Sequence, residues 1–147
     1  MGNDNPTAHG SVVLVGARGI FIRGAAGAGK SRLVLALLEA AAAGRIPFAR
    51  LVADDRVHLT ATNGTLLARP PQALAGRMEI RGIGIVSVEF ESVAKVDLVV
   101  DLADQNAARL PEPADCTVTI AGVPLPRVSA APGTDPLPLV LVALRAP

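Results

Sequence analysis

The chain has 147 residues, half of them hydrophobic, which suits one domain with one packed core and argues against disorder. Fourteen basic and 13 acidic residues give a net charge of +1 with no basic run, and the aromatics are three Phe alone, so a nucleic-acid surface is not expected. The single Cys116 allows no intramolecular disulfide, the polar start Met1-Gly2-Asn3-Asp4-Asn5 is unlike a secretory leader, and no apolar stretch reaches the ~20 residues that span a bilayer. A soluble, cytoplasmic protein without membrane contact is therefore expected, and its apolar surplus suggests surface covered by sister subunits.

Residues 1–8 read as a loose, polar lead-in and residues 9–147 as a single domain. His9-Gly10 opens the apolar run Ser11-Val12-Val13-Leu14-Val15, and Gly16 turns the chain into Gly19-Ile20-Phe21-Ile22-Arg23, giving strand, tight turn, strand. From Lys30 to about Ala43 the pattern is helical and apolar on nearly every face, broken by Arg32 and Glu39, with Gly44 as its stop. Such a helix is expected to be buried on two sides. Ala49-Arg50-Leu51-Val52-Ala53 reads as another buried strand, ending in Asp54-Asp55. Residues 56–61 alternate in strand fashion, and Asn63-Gly64 is a two-residue hairpin signal leading into Thr65-Leu66-Leu67-Ala68. Between Met78 and Ile85 charged residues alternate with apolar ones among glycines; Glu89, Glu91 and Ser92 fall in a connection, and residues 95–102 form a strand. Residues 103–115 read as loop, 117–120 and Val123-Pro124-Leu125 as short edge strands, and 135–145 as a short final helix whose prolines suit its first turn. His58 reads as structural and Cys116 as a buried small apolar residue.

The chemistry concentrates at Gly24-Ala25-Ala26-Gly27-Ala28-Gly29-Lys30-Ser31, between the second strand and the helix. Its spacing is G-x-x-x-x-G-K-S/T, in which glycines let the backbone curl so that several N–H groups and the helix's positive end face one anion. Lys30 is one of two lysines in the chain and would reach the β- and γ-phosphates, while the Ser31 hydroxyl would ligate Mg²⁺. Phosphoryl transfer to a hydroxyl also needs a carboxylate near the attacking oxygen, and Asp54-Asp55 at a strand's carboxyl end meets that need.

Together, His9-Gly10, the phosphate loop, Leu51-Val52-Ala53-Asp54-Asp55 and Met78-Glu79-Ile80-Arg81-Gly82-Ile83-Gly84-Ile85 closely resemble the catalytic domain of the HPr kinase/phosphorylase family. That family phosphorylates a serine of HPr, the small phosphocarrier protein of the bacterial sugar phosphotransferase system. The resemblance implies an α/β fold, a single P-loop kinase domain with a mixed twisted sheet and few helices, similar also to phosphoenolpyruvate carboxykinase in its nucleotide site. It implies ATP and Mg²⁺ as cofactors, HPr or an HPr-like protein as partner, a role in regulating carbohydrate metabolism, and a homo-oligomer, a hexamer by family. On matching positions, Lys30 contacts the nucleotide phosphates and Ser31 with Glu79 resembles the Mg²⁺-binding pair. Asp55 resembles the residue that takes the substrate serine's proton, Asp54 supports it or the metal, and His9 matches an active-site histidine beside it. Arg81 lies in the family's signature segment, and Arg109 matches an arginine that stabilises transferring phosphate charge.

The chain resembles the shortened, catalytic-domain-only form, without room for an N-terminal domain. Arg32 stands where the family commonly has Glu, and Ala131-Pro132-Gly133-Thr134-Asp135 is the nearest counterpart of a P-x-x-P-G-R-N segment tied to the reverse, phosphorylase reaction. The arginine of that segment is missing, so the expectation rests on the kinase direction. Two other readings compete: a kinase for a small hydroxylated metabolite, and a regulatory module that binds ATP without catalysis. The retained Asp54, Asp55 and Glu79 weigh against the second, because a pure binder needs neither base nor metal set.

Overall fold

The computed structural model describes residues 6–145, so most of the expected lead-in lies outside the described residues. The element order is β1 (Ala8–His9), β2 (Ser11–Val15), β3 (Arg18–Arg23), α1 (Lys30–Ala42), β4 (Ala49–Ala53), β5 (Arg56–Thr62), β6 (Thr65–Arg69), β7 (Arg77–Ile80), β8 (Gly84–Ser87), β9 (Ala94–Asp101), β10 (Thr117–Ile120), β11 (Val123–Ser129) and α2 (Pro136–Arg145). Among the described residues nine strands form one mixed sheet, ordered β1-β5-β6-β9-β3-β2-β4, with β11 on β9 and β10 on β11. β7 and β8 form a separate two-stranded ribbon.

Strand β9 is the hub. It pairs in parallel with β3 along one edge; on the other, Ala94 and Lys95 pair with β6 before Val99, Val100 and Asp101 pair in parallel with β11. Every residue of Leu98-Val99-Val100 is buried, but alternate side chains face opposite ways. Leu98 and Val100 join Ile20, Ile22, Leu33, Val34 and Leu37 of α1 and Val140 and Leu141 of α2 in one core, whereas Val99 joins Phe21, Val12, Val57 and Leu66 in a second core made from strands alone. Both α-helices thus cover the same face of the sheet.

The Asn63-Gly64 turn forms as expected, pairing Thr62 with Thr65, with Asn63 at φ 52° and Gly64 at φ 76°, the left-handed pair that a two-residue hairpin requires. Helix α1 spans the expected segment, and Gly44 at φ 77° ends it. Its expected burial on two sides is corrected: Lys30, Leu33, Val34, Leu37 and Ala40 form one buried stripe, while Arg32, Glu39 and Ala42 are exposed. The helix lies on β2 and β4 and is flanked by α2 and β7, which leaves the face carrying Arg32, Glu39 and Ala42 open. Val123-Pro124-Leu125 also differs from an edge strand, because β11 continues to Ser129 and enters the sheet beside β9. Pro124 and Pro126 lie before that pairing begins, where β11 has β10 as its sole ladder neighbour and a missing N–H is tolerated. Cys116 is half-buried rather than buried.

Candidate active site

β3 delivers the phosphate loop at its carboxyl end, and the close packing there explains the first glycine: a Cβ on Gly24 would lie 2.9 Å from Ala28 Cβ. Gly29, at φ 102°, takes the N-cap position of α1 with no side-chain cap, so the first-turn N–H groups face the loop unclaimed by any capping side chain. Lys30 is buried to 6% exposure, and its ammonium bonds Gly24 O at 2.8 Å and Ala25 O at 3.2 Å, which holds the charge over the loop.

β4 runs parallel to β3, separated from it by β2, so its terminal Asp54-Asp55 reaches the same edge of the sheet as the loop. Asp54 is buried and collects donors from three elements. Its Oδ1 accepts the Ser31 hydroxyl at 2.8 Å and the Ser11 hydroxyl at 2.9 Å, and its Oδ2 lies 3.4 Å from the Glu79 backbone N–H. Asp55 is exposed and sits at φ 70°, a left-handed conformation uncommon outside glycine. Three contacts hold it there: its N–H donates to Ser11 Oγ at 3.0 Å, its carbonyl accepts Gly10 N–H at 2.9 Å, and its Oδ1 lies 3.0 Å from His9 Nε2. Backbone held in such a region concentrates at functional sites, at a cost of about 1–3 kcal/mol.

The structure therefore brings together His9, Lys30, Ser31, Asp54 and Asp55. Glu79 reaches this group through its backbone, at the edge of the β7–β8 ribbon, with its side chain exposed; Arg81 is exposed in the ribbon's turn. Arg109 lies elsewhere, in the loop after β9, lining a recess with Arg127 and Cys116. Arg32 is exposed on the first turn of α1. Among the described residues no three His, Cys, Asp or Glu side chains converge as a metal-binding group. The Ser31 hydroxyl and Asp54 carboxylate fit instead the partial shell usual for Mg²⁺, which takes its remaining ligands from water and substrate phosphates. A larger groove of about 720 Å³ opens near Arg18 and Lys95, toward the amino end of β9 and away from all these groups.

Two features escape the sequence reading. Ser11, wholly buried in an apolar strand, bridges Asp54 and Asp55, and nothing in the pattern Ser-Val-Val-Leu-Val marks it. Beside the loop, Arg23 donates two hydrogen bonds to Asp101, at 2.7 and 2.9 Å, while Arg127 bonds Asp101 and, at 3.0 Å, Asp104. Asp101 ends a buried strand just as Asp54 does, so the reasoning that picked out Asp54 would have found it.

A sequence profile described as the HPr Serine kinase C-terminal domain matches residues 3–132. The chain belongs to this family. Among curated relatives, the HPr kinase/phosphorylase of Treponema pallidum subsp. pallidum is 32% identical over 90% of this chain and 44% of its own length. That of Limosilactobacillus reuteri is 37% identical over 82% of this chain and 39% of its own. The chain thus spans about two-fifths of the length of these HPr kinase family proteins. The solved Hpr(Ser) kinase/phosphatase from Coxiella burnetii superimposes with a TM-score of 0.76 at 27% identity, covering 96% of this chain and 89% of that one. The mixed α/β fold is accordingly that of the HPr kinase C-terminal domain.

Proposed function

We propose that this domain is an ATP-dependent protein-serine kinase acting on HPr or an HPr-like phosphocarrier protein. The observation that carries the reading is the 2.8 Å bond between Ser31 and Asp54, which joins the phosphate loop to the acidic pair and sets exposed Asp55 beside them. The loop amides and Lys30 hold the triphosphate and oppose the charge that develops on it. Mg²⁺, held by Ser31 with Glu79 or Asp54, would neutralise the phosphate oxygens. His9 engages Asp55 Oδ1, which leaves Oδ2 to take the proton from the incoming serine hydroxyl. As that proton leaves, the serine oxygen bonds the γ-phosphorus, the bond to the β-phosphate oxygen breaks, and ADP departs.

The exposure of Asp55 favours a protein substrate, because a serine on a folded partner reaches an open carboxylate more readily than a recessed one. Thr134 occupies the place of the missing arginine, so the forward reaction is the one assigned. A cytoplasmic homo-oligomer belongs to the same reading, with exposed Ile83, Ile85, Leu110 and Val142 as apolar surface for sister subunits or the partner. The test is transfer of labelled γ-phosphate from ATP to HPr. Asp55→Asn is expected to lower the transfer rate by about 10²–10⁴-fold, the usual worth of a positioned base, with nucleotide binding retained; equal transfer by variant and wild type overturns the assigned base.

A further inference from the structure

We propose that the recess between the loop after β9 and the end of β11 receives the nucleoside end of the nucleotide whose phosphates lie in the loop at residues 24–31, an inference that rests on the kinase reading above. The Ser31–Asp54 bond sets the first turn of α1 against the end of β4. The metal and the transferred group face β4, where Asp54 and Asp55 stand, so the rest of the nucleotide leaves the loop on its other flank. That flank is formed by the carboxyl ends of β9 and β11. Backbone hydrogen bonds carry the loop's rim there: Leu102 N–H donates to Arg23 O at 2.9 Å, Ala130 N–H to Asp101 O at 2.8 Å, and Asp104 N–H to Ala130 O at 2.9 Å. Arg23 immediately precedes Gly24 and is clamped to Asp101, which is bonded to Arg127 in the wall of the recess.

The recess has a volume of about 240 Å³. Sites that enclose a whole small molecule run to roughly 300–1,000 Å³, so this one takes one end of a ligand whose other end is held elsewhere. Pro111, Val128 and Leu139 give it apolar surface for a base, and exposed Asn106 gives it a polar group for ring nitrogens or ribose hydroxyls. Ser129 Oγ is, among the described residues, the one buried side-chain polar atom without a hydrogen-bond partner. The charge of Arg127 is met by Asp101 and Asp104, and the recess is lined by one further residue of each sign, Asp115 and exposed Arg109. A nearly neutral wall suits a nucleoside better than a second phosphate group.

Cys116 is the single cysteine of the chain, is half-buried and lines this recess, which supplies the readout. Its alkylation by iodoacetamide is followed by mass spectrometry with Mg²⁺ and either ATP or inorganic tripolyphosphate, while thermal melting reports binding of each. Both ligands are expected to raise the Tm. ATP alone is expected to slow Cys116 alkylation, by about tenfold once nine-tenths of the protein is loaded. If both raise the Tm but protect Cys116 equally, or neither protects it, the nucleoside does not lie in the recess and the inference falls while the phosphate loop stands. If neither ligand raises the Tm, the nucleotide reading itself fails and takes this inference with it.

Discussion

Ser11 lets the two acidic residues of the site act as a unit. Its hydroxyl gives its one proton to Asp54 and uses a lone pair to accept the Asp55 N–H, so a single buried oxygen orients one carboxylate and helps hold the other residue's backbone at φ 70°. Alanine would leave that N–H and one lobe of the Asp54 carboxylate short of a partner at a buried position, a loss of about 1–3 kcal/mol. Ser11→Ala is therefore expected to reduce kcat for phosphoryl transfer about tenfold or more, since 1.36 kcal/mol off transition-state stabilisation is a factor of ten, with a smaller change in the KM for ATP. Ser11→Thr keeps the hydroxyl and should restore most of the loss. Equal kcat for the alanine variant and wild type would reduce Ser11 to a strand residue.

At the level of elements, the ends of β3, β9 and β11 are tied together by Arg23, Asp101, Arg127 and Asp104. Burial works to lift the Asp101 carboxyl, but the hydrogen bonds and charges of Arg23 and Arg127 outweigh it and hold the group below its ordinary value of 3.8. For Arg127, burial works to lower the guanidinium, and its bonds to Asp101 with the nearby Asp104 charge outweigh that and raise it. A carboxyl depressed in the folded state contributes stability that is present above its unfolded value and is lost as pH falls through the folded one. An arginine raised above its ordinary value keeps its contribution throughout the working range and loses it beyond, in strong alkali. Asp101→Asn is thus expected to cost about 1.5–3 kcal/mol in urea unfolding at pH 7 and progressively less below about pH 4. A difference that does not shrink on acidification would show that the charge of Asp101 is not its source. None of this pairing was legible from sequence, because Arg23 and Asp101 are far apart in the chain and each reads singly as a strand's polar end.

For the molecule as a whole, what sequence revealed was whatever is local. The phosphate loop with its helix, the Asn63-Gly64 hairpin, the acidic pair ending β4 and the final helix are each set by a few neighbouring residues. What it concealed was pairing over distance: Ser11 on Asp54, Asp54 on Ser31, and β11 continuing past two prolines into the sheet. The position of β9 adds a consequence in time. The loop-bearing strand β3 pairs in parallel with β9, and the contact that presses Gly24 close to Leu102 lies at the end of that pairing. A chain emerging from the ribosome therefore makes its phosphate loop early but cannot seat it until some seventy residues later have emerged. A fragment ending before Ala94 is expected to give no Tm shift with tripolyphosphate, and co-expression of the remainder to restore one; binding by the fragment alone would mean that the loop needs no neighbouring strand.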